Sequence, residues 1–314
     1  RKICVDFIET NKSLIVAPAG YGKTHTISEL LKNSSEKKYL VLTHTNAGIA
    51  SIKEKLINKS VPSNRYNVET ISGYALKYTS AYSKIDDIPT IDNSSEYYPF
   101  LFQRLLDLLE LSYIQNIIKT TYARIIVDEY QDCDEKHHKL ILKLSSVIPV
   151  HVLGDGMQGI FDFKKNQIDW KKVEEEFKLV NQLKKPWRWI NSGNEELGND
   201  ILKIRLNLEK NEEIDLTDYN KIDFIPTTNE IWDPEYPTDK ISDILDEENN
   251  VLIIDSNNTN RRRRIDFITK LYYRVQMIES IDEKIFYKNA MLIDSMQINF
   301  YENFFFLIRG SFTV

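Results

Sequence analysis

Apolar residues along this chain fall into short continuous runs that alternate with stretches where they recur every three or four positions. Ser13–Ala17, with Leu14-Ile15-Val16 at its centre, has the length and continuity of a strand buried on both faces. Lys23–Lys32 places Ile27, Leu30 and Leu31 on one face of a helix. Tyr39–Thr43 predicts a second buried strand, and Ile49, Ile52, Leu56 and Ile57 predict a helix over Asn46–Asn58. Arg124–Val127 and His151–Leu153 predict two more short strands. Such alternation implies an α/β fold, a parallel sheet with flanking helices.

Residues 78–120 interrupt this pattern. The insertion opens polar over Ser83–Ser95 and ends in one expected helix over Phe100–Ile118, with Leu101, Leu105, Leu108 and Leu109 as its packing stripe. A helix is expected near Asn194–Leu208. Acidic Asn211–Asn249, marked by Pro226, Pro234 and Pro237, reads as a connector. Val251–Asp255 reads as the strand that opens a second α/β unit. The expected organisation is a first domain over residues 1–210, a connector over 211–249 and a partial second domain over 250–314.

Composition narrows the picture. The 314 residues suffice for one large or two modest domains. A net charge of −6 argues against a wholly basic nucleic-acid coat but leaves room for a local basic groove. Cys4 and Cys133 are too few for a disulfide framework or a zinc site, which fits a reducing, cytoplasmic setting. The longest apolar run, Phe304–Ile308, is too short to span a bilayer, and no signal peptide is visible. The chain opens on Arg1 and closes on Ser311-Phe312-Thr313-Val314, and reads as part of a longer protein.

The candidate chemistry centres on Ala17-Pro18-Ala19-Gly20-Tyr21-Gly22-Lys23-Thr24. It lies between a predicted strand and a predicted helix, the order a phosphate-binding loop needs. Small and glycine residues let backbone N–H groups approach phosphate oxygens, and the helix N-terminus favours the same anion. Ala19, Gly20, Tyr21, Gly22, Lys23, Thr24 and His25 are the expected nucleotide-binding residues. Lys23 can reach the β- and γ-phosphates and the Thr24 hydroxyl can ligate Mg²⁺. Arg124-Ile125-Ile126-Val127-Asp128-Glu129 is a strand ending in two carboxylates. Asp128 is placed to hold Mg²⁺, and Glu129 to orient or deprotonate an attacking water. ATP and Mg²⁺ are the cofactors this pair implies.

Asp128-Glu129-Tyr130-Gln131-Asp132 after such a loop resembles the UvrD/PcrA/Rep-like branch of superfamily 1 helicases. Leu42-Thr43-His44-Thr45-Asn46 resembles that family's Thr-Phe-Thr-Asn segment. Gly154-Asp155-Gly156-Met157-Gln158-Gly159-Ile160-Phe161 resembles its Gly-Asp-x-x-Gln-x-Ile-Tyr box, and Pro186-Trp187-Arg188-Trp189 stands at its Asn-Tyr-Arg-Ser. The resemblance implies two RecA-like P-loop NTPase domains, the second only begun here near Ser256-Asn257 and Arg261. It implies that Gln158 senses the γ-phosphate, that Trp187 stacks on adenine, and that Arg188 acts as an arginine finger. It places Thr43, His44, Asn46, Thr70, Phe161 and Phe163 at single-stranded DNA. His44 reads equally as a cap or a solvent-facing residue, Phe163 equally as packing, and Arg262–Arg264 equally as a solvated helix start.

The function implied by this resemblance is that of an ATP-driven translocase or helicase on single-stranded DNA, by the family's habit 3′ to 5′, in DNA repair or anti-phage defence. A compact relative acts beside a nuclease in Gabija-type systems, so a partner nuclease of the OLD/TOPRIM type is a further expectation. The alternative is a nucleotide-binding switch that controls such a nuclease without strand movement. Mild acidity and missing second-domain boxes support that alternative, and several departures from the family pattern weaken a full helicase reading. Thr70-Ile71-Ser72 lacks the usual histidine, the insertion is small, and no Lys-Gly-Leu-Glu or late Thr-Arg-Ala box appears.

Overall fold

The computed structural model describes residues 10–32, 37–159, 168–219, 238–247, 251–253, 261–272 and 274–275. The chain divides into two compact units, Arg1–Asp223 and Phe224–Val314.

In the first unit, strands β1 (Lys12–Val16), β2 (Lys38–Thr43), β3 (Tyr66–Thr70), β4 (Tyr122–Val127), β5 (Val150–Gly154) and β6 (Lys178–Gln182) form one sheet. All its pairings are parallel, in the order β3-β2-β4-β5-β1-β6. The helices of this unit are α1 (Lys23–Lys32), α2 (Asn46–Asn58), α3 (Ile71–Tyr82), α4 (Ser94–Leu108), α5 (Ser112–Thr121), α6 (Glu135–Ser145), α7 (Trp170–Glu176), α8 (Trp187–Asn191) and α9 (Glu195–Glu209). The α/β expectation holds, and α1 and α2 run between the residues their spacing implies.

Side-chain alternation along each strand splits the core into two layers. Leu14, Val16, Leu40, Leu42, Ile125, Val127, Val150 and Val152 point to one face, where α3, α4 and α6 supply Tyr74, Leu101, Leu105, Leu140 and Leu144. Ile15, Ala17, Tyr39, Val41, Ile126 and Leu153 point to the other, against Ile27, Leu30, Leu31, Ile52 and Leu56 of α1 and α2. Because both faces are covered, the central strands read as continuous apolar runs.

The insertion differs from its expected form. In place of one helix over Phe100–Ile118, α4 ends at Leu108 and α5 starts at Ser112. The turn between them buries Leu109 and exposes Leu111. The apolar stripe runs on through the turn and so conceals it. In the second unit, α10 (Thr238–Glu247) lies inside the stretch expected to be a connector. Val251–Ile253 carry no strand, and α11 spans Arg261–Lys270. The proline-marked part of the connector and most of the expected second domain lie outside the described residues.

A polar row crosses the α1/α2 layer. Ser13, His151 and Arg124 lie on the neighbouring strands β1, β5 and β4. Arg124 donates to His151 Nε2 at 3.0 Å, and Ser13 Oγ lies 2.7 Å from Nδ1. An arginine can only donate, so Nε2 accepts and Nδ1 carries the proton toward Ser13. Burial, reinforced by the Arg124 charge, pushes this imidazole down to about 3, against about 6.5 when free. The unfolded chain therefore binds this proton first as pH falls. Stability is full above about pH 7, falls by about 2 kcal/mol at pH 5 and continues to fall toward pH 3. Urea midpoints for wild type and His151→Asn at pH 7.5 and pH 5 measure the effect. An equal pH slope in both proteins would refute it.

Candidate functional site

The parallel sheet delivers the C-terminal ends of its strands to one edge. The segment after β1 is the loop Ala17–Gly22, that after β4 begins Asp128-Glu129, and that after β5 begins at Asp155. Since β5 lies between β1 and β4, Asp155 sits between the loop and the acidic pair.

The loop requires glycine at two positions. Gly20 and Gly22 have φ of +81° and +95°, where a side chain is strained. A Cβ on Gly20 would come 2.9 Å from the Trp189 ring and 3.0 Å from Arg188 Cβ. One on Gly22 would come 3.2 Å from the Trp187 ring. The loop is thus seated on the first turn of α8, and the Arg188 N–H donates to the Gly20 carbonyl at 2.9 Å.

A cleft of about 640 Å³ opens above the loop. Its lining includes Ala19, Gly20, Gly22, Lys23, Thr24 and His25, together with Thr43, Asp128, Glu129, Trp187 and Arg188. The Lys23 ammonium contacts Glu129 Oε2, which also accepts from Gln131 Nε2 at 2.8 Å. Both contacts fall on Oε2, so Oε1 is the oxygen left for another partner. Burial pushes the Glu129 carboxyl up, but Lys23 and the Gln131 amide outweigh it and hold the group below the usual carboxylate range. Glu129 itself is left-handed, with φ 52°, a strained conformation for a non-glycine residue that the surrounding contacts must maintain.

Asp128 is buried, and its Oδ1 has no hydrogen-bond partner among the described residues. Burial first, and the neighbouring Glu129 charge second, push its carboxyl up to about 6, against the pull of Lys23. An unpartnered carboxylate oxygen on a residue that lines the cleft is the kind of donor a hard divalent cation takes. The glycine cradle, Lys23, Thr24 and this oxygen together fit a nucleotide phosphate with Mg²⁺.

Other expected site residues lie elsewhere. The Tyr21 side chain turns inward, edge-on to Trp189 at a centroid distance of 5.9 Å, and does not line the cleft. Gln158 does not line it either; its amide donates to Asp155 Oδ2 at 2.8 Å. Trp187 is 41% exposed, with the Lys185 ammonium 4.1 Å from its ring centroid. His44 is half-buried, its Nε2 3.5 Å from Cys133 Sγ and its ring edge-on to His137 at 5.4 Å. Asn46 is exposed as the first residue of α2. Thr70 Oγ1 caps α3 by accepting from the Gly73 N–H at 2.9 Å. Phe161 and Phe163 lie outside the described residues.

Several neighbours carry no clear mark in the sequence. Ser51, Lys55 and Lys59 of α2 and its C-terminus also line the cleft, with Lys59 Nζ 3.1 Å from His25 Nδ1. Lys55 and Lys59 stand four apart on a helix and so share a face, a signal that is present but not distinctive. Arg205 gives no signal. It lies on α9 and takes Asp155 in a two-pronged ion pair at 2.6 and 2.7 Å.

Among the described residues, no helix is long and apolar enough to cross a membrane. A search of curated proteins returned no match. A family model does match, over residues 1–164, which is more than half of the chain. The parallel sheet, the glycine cradle and the acid pair are the parts an ATP-binding domain of that kind needs, and the protein belongs to the family described as the AAA domain.

Proposed function

We propose that this protein hydrolyses ATP and couples hydrolysis to movement along single-stranded DNA, as a UvrD-like translocase or helicase. The observation that carries the hydrolytic part is the cleft where Lys23, Glu129 and the unpartnered Asp128 oxygen meet above a glycine-built loop. Mg²⁺ held through Asp128 and Thr24 would neutralise phosphate charge. Lys23 has further N–H groups to give to the β- and γ-phosphate oxygens while it touches Glu129. Glu129 Oε1 orients the attacking water. As the water oxygen bonds to the γ-phosphorus, the bond to the β-phosphate oxygen breaks, and the water's proton passes to the carboxylate. Arg188 lines the same cleft, its guanidinium 5.9 Å from the Trp189 ring centroid, and is the cation we assign to charge that develops on the phosphates.

The DNA part rests on the resemblance carried by Thr43–Asn46, Asp128–Asp132, Gly154–Phe161 and Trp187-Arg188. ATP turnover by the full-length protein with and without single-stranded DNA tests it. Stimulation of about tenfold or more, weakening as salt rises, is expected of a phosphate-gripping motor. A second reading, a nucleotide switch acting on a partner nuclease, is favoured by the packing of His44 against Cys133 and His137, which occupies a ring that would otherwise stack on a base. Turnover indifferent to DNA at every salt concentration would overturn the motor in favour of the switch.

A further inference from the structure

The hydrolytic scheme leaves unused a charged pair, Asp155 with the part-buried Arg205, whose guanidinium also meets Glu209 at 2.9 Å. Asp155 has no exposed surface. Its carboxylate takes the Arg205 fork, the Gln158 amide at 2.8 Å and the Met157 N–H at 3.2 Å. Its own backbone N–H donates to Gln131 Oε1 at 3.1 Å, and the far end of that amide holds Glu129. Glu129 in turn meets Lys23. An unbroken series of polar contacts therefore runs from α9 to the lysine of the phosphate loop.

Stability alone is a poor explanation of such a pair. An apolar pair of the same volume commonly holds a fold as well as a buried ion pair does. What an apolar pair cannot do is fix the orientation of amide groups. The planar guanidinium sets the plane of the Asp155 carboxylate, which then dictates which end of Gln158 points to it. Gln131 is equally constrained, since the Asp155 N–H claims its oxygen and leaves its nitrogen for Glu129.

We propose that Arg205 is a positioning residue for phosphate cleavage: by clamping Asp155 it sets the orientation of Gln158 and, through Gln131, of Glu129. The inference rests on the hydrolytic reading above. Arg205 touches no reacting atom, and neither nucleotide nor DNA is its ligand.

The test uses the full-length protein as wild type, Arg205→Lys, Arg205→Gln and the pair Asp155→Asn with Arg205→Gln. Two quantities are read: kcat for ATP, and the ratio of the Kd values for mant-ADP and mant-ATPγS, which needs no turnover. Arg205→Gln should lower kcat by about 10- to 100-fold and move that ratio, with the mant-ADP Kd held within about threefold. Arg205→Lys should fall between, since it keeps charge and loses the fork. Arg205→Gln strands a buried carboxylate and is the variant at risk of unfolding. The paired variant leaves no buried charge unpaired, since the other carboxylate that Arg205 meets, Glu209 at 2.9 Å, is partly exposed, so it carries the test if the single one fails to fold. A folded paired variant with wild-type kcat and a wild-type Kd ratio would overturn the proposal and leave the ion pair a brace. Wild-type protein that binds neither nucleotide would overturn the hydrolytic reading, and this inference with it.

Discussion

Glu129→Gln is expected to lower ATP turnover by about 10²- to 10⁴-fold while leaving nucleotide binding intact. The substitution keeps the shape of the side chain and its hydrogen bonds but removes the charge that can take a proton from water. The contacts in the cleft give the substitution two electrostatic consequences. Lys23 exchanges a charged partner for a neutral amide oxygen, which leaves more of its charge to a phosphate. Asp128 loses the like charge that helps push its carboxyl up to about 6, so it ionises more readily and makes a better cation ligand. Affinity for ATP should therefore hold or rise as turnover falls. Single-turnover hydrolysis and a mant-ATPγS titration on the same sample separate the two. Turnover within about threefold of wild type would remove Glu129 from the chemistry.

Gly20→Ala should damage both the fold and the site. At φ +81° an alanine is strained by about 1–2 kcal/mol before any contact is counted. The added methyl would also meet Trp189 at 2.9 Å and Arg188 Cβ at 3.0 Å. A Cβ is fixed to the backbone and cannot swing aside, so the loop and α8 must part. That separation opposes the 2.9 Å hydrogen bond from the Arg188 N–H to the Gly20 carbonyl, and it shifts the N–H groups meant for phosphate. We expect a loss of about 1–3 kcal/mol in stability and a weakening of mant-ADP binding by about tenfold or more. Gly193→Ala is the matched control. Its φ is +77°, but no atom of the described residues lies within 4 Å of the new methyl. It should share the backbone strain and keep the affinity. Thermal melts and nucleotide titrations on both variants decide the matter, and equal affinities would show that the seat on α8 is not needed for binding.

The parts legible in the sequence were those fixed by neighbouring residues. Lys23–Lys32 and Asn46–Asn58 declare themselves by three-and-four spacing, and the second is also capped by Thr45, whose side chain accepts from the Gly48 N–H. The phosphate loop is legible because consecutive residues perform its task, and Asp128-Glu129 because an apolar strand ends at them. Local reasoning failed where apolar residues continued through a turn, as at Leu109–Leu111 between α4 and α5. It also failed at β6, whose Lys178 and Leu179 are exposed because the strand lies at the sheet's edge, and which shows no buried run.

By itself the sequence determined the class of fold, the loop that can hold phosphate, and the two carboxylates that complete it. Each depends on residues close together in the chain, so spacing and residue type suffice. Only the tertiary structure decided that β5 lies between β1 and β4, which sets Asp155 between the loop and the acid pair. It alone turned Tyr21 inward, left the Asp128 oxygen without a partner among the described residues, and brought Arg205 from fifty residues away to hold the centre of the sheet edge. Such pairings are set by which surfaces the packed layers press together, and no local pattern of residues encodes them.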